Sequence, residues 1–161
     1  MKKGSAQKQM QTGQLLFTKI INTKIMKLNA SSIGIWILKL IAAIIMLQTL
    51  YFKFTAAEES VYIFTQLGLE PYGRIGIGVL ELIASVLILY PKTTVYGAVL
   101  AVGLMAGAIL SYITRLGIEV KNDGGQLFVY ALLVLVSSMA LVIIFRKKLY
   151  ALVRLNPKYQ I

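Results

Sequence analysis

The sequence predicts an all-α integral membrane protein, a four-helix bundle with both termini on the cytoplasmic side. Three observations favour this fold class: an apolar composition, four long apolar segments and an uneven distribution of lysine and arginine. Of the 161 residues, 58% are hydrophobic and 14% are charged, whereas soluble domains carry roughly 25% charged residues. A domain of this size buries only about 70% of its unfolded surface. The remaining apolar surface therefore needs a lipid bilayer around it.

Four segments have the roughly 20 mostly apolar residues that a transmembrane helix requires. The first carries one charge, Lys39, and the second carries Arg74 and Glu81, while the other two carry none. The predicted spans are residues 33–52, 72–90, 94–114 and 126–145. They lie in a transmembrane domain, residues 33–148, between a basic extension, residues 1–32, and a basic tail, residues 149–161.

The distribution of positive charge predicts the orientation, because cytoplasmic loops of membrane proteins are enriched in lysine and arginine. Twelve basic residues lie on the side of the membrane that holds both termini: before span one, between spans two and three, or after span four. Only four lie on the opposite side. Five of the six acidic residues lie on that poorer side. We therefore expect a multi-pass protein of the cytoplasmic (inner) membrane with both termini inside.

The segments outside the spans give three further expectations. Residues 14–28 place Phe17, Ile21, Ile25 and Leu28 near one helical face, which is typical of a juxtamembrane amphipathic helix on anionic lipid. A basic tail that only sets the topology is the alternative interpretation. The loop after span one begins with the capping-box pattern Thr55-Ala-Ala-Glu58, which predicts a short outer helix. Residues 116–125 are rich in turn formers and predict a compact connection.

Each span carries a stripe of small or polar residues, and such stripes usually mediate helix contacts in membranes. Lys39 and Glu81 stand out, because a charge within the bilayer is costly and usually finds a partner inside the bundle. At 1.5 Å per residue they lie about 9 and about 13 Å from the inner edge, so we predict that they meet. The candidate intramembrane polar cluster is Lys39, Glu81, Ser85 and Tyr130, and the candidate helix-packing residues are Gly78, Gly103 and Gly107, all facing inward.

The pairing of Lys39 with Glu81 has two interpretations. It is either a proton-carrying or ligand-binding pair, or a structural ion pair that locks spans one and two. The chain has no cysteine and no histidine, which excludes disulfides and thiolate or imidazole metal ligation, and we expect no metal site. Although the net charge is +11, no nucleic-acid-binding motif is present. No autonomous catalytic constellation is visible either.

In their order along the chain, several short motifs resemble the DoxX-like family of small four-span membrane proteins. The resemblance covers roughly residues 34–148. The motifs are Gln48-Thr-Leu-Tyr-Phe-Lys53-Phe, Gly78-Val-Leu-Glu81-Leu, Pro91 in a tight turn, Gly107-Ala108-Ile, Leu116-Gly-Ile-Glu-Val and Asp123-Gly-Gly. Many relatives have histidine where this chain reads Ser111-Tyr112, and this departure argues against carrying over a catalytic role.

The resemblance implies a four-helix fold and an association with membrane redox systems. Members of the family are described as subunits of quinol-linked or thiosulfate-oxidising complexes, or as partners of oxidative-stress proteins. We therefore expect an accessory or quinone-interacting subunit, with quinone as the candidate cofactor. The expected partners are the lipid bilayer, other membrane or redox proteins and further copies of the chain in a homo-oligomer, but not nucleic acid. A non-enzymatic assembly or stabilising protein and a small proton-coupled transporter are the alternatives.

Overall fold

The computed structural model describes the backbone of residues 3–154 and the side chains of residues 13–16 and 31–147. Within this part of the chain the regular structure is entirely helical. The helices are α1 (Lys3–Phe54), α2 (Glu58–Gln66), α3 (Tyr72–Leu89), α4 (Thr94–Ser111) and α5 (Gln126–Arg154), and a π-helical turn (Tyr112–Leu116) follows α4.

Four helical segments are long and apolar enough to cross a membrane. They are Ser31–Phe54, Tyr72–Leu89, Thr94–Leu116 and Gln126–Lys147, so the four predicted spans and the all-helical fold class are confirmed. The orientation of the termini stays a prediction. Residues 14–28 are helical within α1, but the side chains of Phe17, Ile21, Ile25 and Leu28 lie outside the described set, as do residues 155–161.

The chain forms two compact units, Met1–Trp36 and Ile37–Ile161. In the first unit, the described backbone is the amino-terminal part of α1. The second unit contains the rest of α1 and helices α2 to α5, and all sites discussed below lie in it. We call the end of this bundle where α1 ends and α3 begins the α2 end, and the end where α3 turns into α4 the turn end.

The centre of the bundle is built largely from small side chains. α4 packs against both α3 and α5, and these contacts bring backbones close together. The most deeply buried small residues, at most 1% exposed, are Ala42, Ala43, Ala84, Ser85, Ala98, Ala101 and Ser138. Apolar side chains on the outer faces are exposed, as expected for helices that lipid surrounds.

α4 approaches α3 closely at Gly97. A Cβ atom at this position would lie 2.6 Å from the backbone nitrogen of Ile88 and 2.7 Å from the carbonyl oxygen of Ala84. The turn between the two helices also satisfies the last carbonyls of α3, which have no partner within the helix. The Thr94 hydroxyl donates to the Ile88 carbonyl at 3.1 Å, and the Thr93 hydroxyl to the Leu87 carbonyl at 3.0 Å.

The α2 end is covered by α2 and by the connection to α5. The short outer helix is present, but its predicted capping box is wrong. The N-cap is Ala57, without a side-chain hydrogen bond, because the Thr55 hydroxyl donates backwards to the Tyr51 carbonyl at 2.8 Å. The buried face of α2 carries Ser60 and Phe64. Tyr112, in the π-helical turn, packs edge-on against Phe128 of α5 with ring centroids 5.8 Å apart.

Candidate intramembrane polar site

Glu81 lies in the middle of α3, nine residues after Tyr72 and eight before Leu89. At 1.5 Å per residue it is therefore about 12–13 Å from either end of the helix, and it is only 3% exposed. Its carboxylate accepts hydrogen bonds from Lys53 Nζ at 2.9 and 3.1 Å. The Thr49 hydroxyl also donates to it at 3.3 Å. Charged side chains at this depth in a membrane-spanning helix usually point inward and have such partners.

Lys53 reaches Glu81 from the α2 end. It is the penultimate residue of α1, and its side chain is 14% exposed against 4% for that of Glu81. Gly78, one turn before Glu81 in α3, lies beneath this part of α1. A Cβ atom there would be 3.5 Å from Leu50 Cδ1 and 3.7 Å from Lys53 Cβ. The small residue thus lets the end of α1 lie close enough for the ion pair to form.

A second ion pair is joined to the first through the backbone of Lys53. Arg74, in the first turn of α3, donates from Nε to Glu70 at 2.8 and 3.0 Å, and its Nη2 is 2.8 Å from the same carboxylate. Its Nη1 donates to the backbone carbonyl oxygen of Lys53. Two positive and two negative groups therefore form one charge-balanced cluster, consisting of Lys53, Glu70, Arg74 and Glu81 with the Thr49 hydroxyl. We call it the polar cluster.

The residues predicted for the site are only partly brought together. Ser85 is next to Glu81, but its hydroxyl donates to the Glu81 backbone carbonyl at 2.8 Å rather than to the carboxylate. The Tyr130 hydroxyl accepts a hydrogen bond from Gln126 Nε2 at 2.6 Å. Lys39 is buried, and its Nζ lies 6.0 Å from the centre of the Phe145 ring.

The structure pairs Glu81 with Lys53, where the sequence suggested Lys39. The two lysines are fourteen residues apart in one helix, which corresponds to about 21 Å. The prediction relied on the similar depth of Lys39 and Glu81, but a lysine side chain extends well beyond its Cα position. A lysine at the end of α1 can therefore reach a carboxylate in the middle of α3.

Four residues of the polar cluster were not among the predicted site residues: Thr49, Lys53, Glu70 and Arg74. The spacing of residues in the sequence could have identified two of them, Lys53 and Arg74. Lys53 shares a seven-residue repeat with Lys39 and Met46, and Arg74 shares a helical face with Gly78 and Glu81. Glu70 lies in the loop before α3, where helical periodicity carries no information.

Gly103 and Gly107 differ from expectation. Both are exposed, and among the described residues a Cβ atom at either position meets nothing within 4 Å. The face of α4 that carries Gly103 and Gly107 therefore points away from the bundle instead of into it. α4 instead makes a close contact with α3 at Gly97, which lies nearer the turn end than Gly103 and Gly107.

The connection above the polar cluster has its own electrostatic contacts. Lys121 Nζ is 2.8 Å from Glu58 Oε1 and 5.6 Å from the centre of the Tyr62 ring, so the loop is attached to α2. The Lys121 ammonium, by hydrogen bonding and by its charge, lowers the pKa of the Glu58 carboxyl.

Asp123 organises the start of α5. Its carboxylate accepts from the backbone N–H groups of Val120 at 2.8 Å, Gly125 at 2.9 Å and Leu127 at 3.1 Å. Desolvation acts to raise the pKa of Asp123, but these backbone donors together outweigh it, and the pKa is lowered. The ionised side chain thus satisfies donors that the beginning of a helix leaves free.

The chemistry available to the polar cluster is hydrogen bonding and proton exchange. The Lys53 ammonium and the Thr49 hydroxyl are donors, and the Glu81 carboxylate accepts hydrogen bonds or a proton. These groups fit the carbonyl and hydroxyl oxygens of a quinone or quinol head group. Among the described residues, no group of three or more histidine, cysteine, aspartate and glutamate side chains is placed to hold a metal ion.

Comparison with known proteins identifies a family. A family model described as the DoxX-like family matches residues 37–141, a range that contains the whole polar cluster and extends from α1 into α5. No curated protein and no solved structure matches the chain.

Proposed function

The chain belongs to the DoxX-like family of proteins, and we propose that it is a quinone-interacting accessory subunit of a membrane redox system. The observation that carries this proposal is the position of Glu81. It is an ionisable carboxylate in the middle of a membrane-spanning helix, held between an ammonium group and a hydroxyl group. Intramembrane ionisable residues of this kind usually mark a ligand or proton site.

The polar cluster offers what a quinone head group requires at a protein surface. Lys53 carries three donor hydrogens on a flexible stem, and its side chain remains partly exposed. Two of these hydrogens are donated to the Glu81 carboxylate, and the third can be donated to a quinone carbonyl without breaking the ion pair. Oxidation of a quinol to a quinone would release two protons and two electrons; the Glu81 carboxylate could accept one proton, and the other would leave to water at the α2 end, where the Lys53 side chain is partly exposed. The electrons pass to or from a partner redox protein, which is why the chain is proposed as an accessory subunit.

Quinone retention tests the proposal. The protein is purified from membranes in mild detergent, and the quinone content per protein is measured by extraction and chromatography. We expect a substantial fraction of the wild type to retain quinone and a short-chain ubiquinone or menaquinone to raise its melting temperature. Glu81→Gln should lower retention severalfold.

The matched control is Glu58→Gln, which breaks the exposed pair with Lys121 at the same end of the bundle. This variant should retain quinone at the wild-type level. A wild-type protein without quinone and without a quinone-dependent thermal shift would refute the proposal. Equal losses in the two variants would also count against it, because they would indicate a general effect on stability.

A second candidate function is non-enzymatic assembly or stabilisation of other membrane proteins. The outward-facing Gly103 and Gly107 of α4 favour it, since small residues four apart allow close contact between membrane helices. Substituting both by leucine should then reduce recovery of a stoichiometric partner in a mild-detergent pull-down, without changing quinone content. A pull-down that is unaffected by these substitutions would remove the support for this candidate.

For the location, we propose the cytoplasmic membrane with both termini inside. The support is the excess of twelve basic residues over four between the two sides of the four spans.

A further inference from the structure

The turn end of the bundle carries exposed basic side chains without acidic neighbours. Lys92 lies in the turn between α3 and α4, and Arg146 and Lys147 lie where the membrane-spanning part of α5 ends; all three are exposed. Of the six acidic residues in the sequence, Glu81 lies in the middle of α3 and the other five lie in the segments at the α2 end. The turn end therefore has an uncompensated positive charge.

These charges belong to helices that pack together. α4 contacts both α3 and α5, so the turn before α4 and the end of the membrane-spanning part of α5 lie at the same end of the bundle. Buried Lys39 adds to the charge there, because its Nζ lies 6.0 Å from the centre of the ring of Phe145, the residue directly before Arg146.

Aromatic and apolar groups adjoin this basic end on the surface. Tyr90 and Tyr96 flank the turn and are 53% and 43% exposed, and tyrosine prefers the boundary between acyl chains and head groups. On α5, Ile143 and Ile144 are exposed directly before the two basic residues. A phospholipid presents the complementary pattern, with acyl chains beside the apolar face and a phosphate at the level of the basic groups.

We propose that the turn end binds the phosphate-bearing head groups of anionic phospholipids through Lys92, Arg146 and Lys147. Clusters of basic residues at the ends of membrane helices recognise anionic lipids by charge, with each contributing about a fivefold gain in affinity. Lys39 strengthens the site through its charge. The proposal concerns the end of the bundle opposite to the polar cluster, and it does not depend on quinone binding.

Lipid competition tests the proposal. The full chain is equilibrated in mixed micelles with equal amounts of phosphatidylglycerol and phosphatidylcholine, then washed, and the bound lipids are quantified by mass spectrometry. We expect phosphatidylglycerol to be enriched on the wild type. The double variant Arg146→Gln/Lys147→Gln should lower this enrichment by up to about 25-fold, about fivefold for each basic residue removed.

A matched control removes two exposed charges from the other end, with Arg115→Gln/Lys121→Gln, and should leave the enrichment unchanged. Both double variants alter exposed residues, so folding is expected to survive, and a melting curve for each verifies this. Equal binding of the two lipids, or an equal effect of the two double variants, would overturn the proposal. So would displacement of the bound lipid by inorganic phosphate or by a DNA oligonucleotide, since the site would then recognise a soluble anion.

Discussion

Replacing Lys53 by methionine tests whether the ion pair with Glu81 stabilises the bundle. The substitution keeps an unbranched apolar stem of similar width but removes the ammonium group that lies 2.9 and 3.1 Å from the carboxylate oxygens. Glu81 then has the Thr49 hydroxyl as its remaining side-chain donor among the described contacts. Breaking a buried pair in this way costs about 3–5 kcal/mol, because the other charge remains buried without compensation.

The reverse substitution, Glu81→Gln, should cost less. Lys53 is near the end of α1 and is partly exposed, so its ammonium can reach water at the α2 end when its partner is lost. Glu81 has no such route, since it lies in the middle of α3. Lys53→Met combined with Glu81→Met should recover most of the loss, because replacing both members of a buried pair by apolar residues is often neutral or stabilising.

The measurement is the free energy of unfolding in mixed micelles, followed by circular dichroism during a titration with sodium dodecyl sulfate. Lys121→Met is the matched control, since it removes a lysine from an exposed ion pair, and it should leave the transition midpoint unchanged. A cost of Lys53→Met below about 1 kcal/mol, the value typical of exposed pairs, would show that the ion pair does not stabilise the bundle. A larger cost for Glu81→Gln than for Lys53→Met would contradict the expected order of the two single substitutions.

Three further predictions concern the turn between α3 and α4, the start of α5 and the topology. Gly97→Ala should destabilise the protein by about 1–3 kcal/mol, because the added methyl group overlaps the α3 backbone. In the same unfolding assay, Gly103→Ala should be neutral or stabilising by up to about 1 kcal/mol. Equal effects of the two substitutions would contradict the contact assigned to Gly97. Asp123→Ala should cost about 1 kcal/mol at pH 7. The difference from wild type should begin to shrink as the pH falls below about 4, the ordinary pKa of aspartate, and should disappear as the pH falls through the lowered pKa of the folded state. A difference in thermal melts that does not shrink between about pH 5 and about pH 2 would exclude this cause. Because the chain has no cysteine, Lys92→Cys and Lys121→Cys each provide a single labelling site. In intact cells, a membrane-impermeant maleimide should label the Lys121→Cys variant and not the Lys92→Cys variant. Labelling of the Lys92→Cys variant alone would reverse the proposed orientation.

Much of the fold could be predicted from the sequence because lipid imposes few solutions on an apolar chain. A run of about 20 apolar residues has to form a helix, since the bilayer offers no other partner for backbone hydrogen bonds. The boundaries of the four spans were therefore close to those of the structure. The short helix α2 was found for the wrong reason, because Thr55 bonds to the preceding turn instead of capping the next helix.

The candidate site could be predicted only in outline. Burial and pairing of Glu81 follow from the cost of a charge in lipid, but the choice between two lysines on one face depends on side-chain reach. The position of Gly103 and Gly107 was wrong because a spacing of four places residues on one face without showing whether that face meets a helix or lipid. Gly97 and Ala101 have the same spacing of four, and only the contacts of Gly97 with α3 and the burial of Ala101 show that this pair lies on a packed face.

The small side chains at the centre of the bundle determine how its interior can be studied by mutation. At Ala42, Ala84 and Ala98, which are completely buried, a conventional alanine scan changes nothing, so it would report a tolerant interior. Substitution by valine or leucine is the informative experiment at these positions, since each added carbon has to separate two helices. We expect natural variation there to be limited to glycine, alanine and serine, while the large lipid-facing side chains exchange freely for one another.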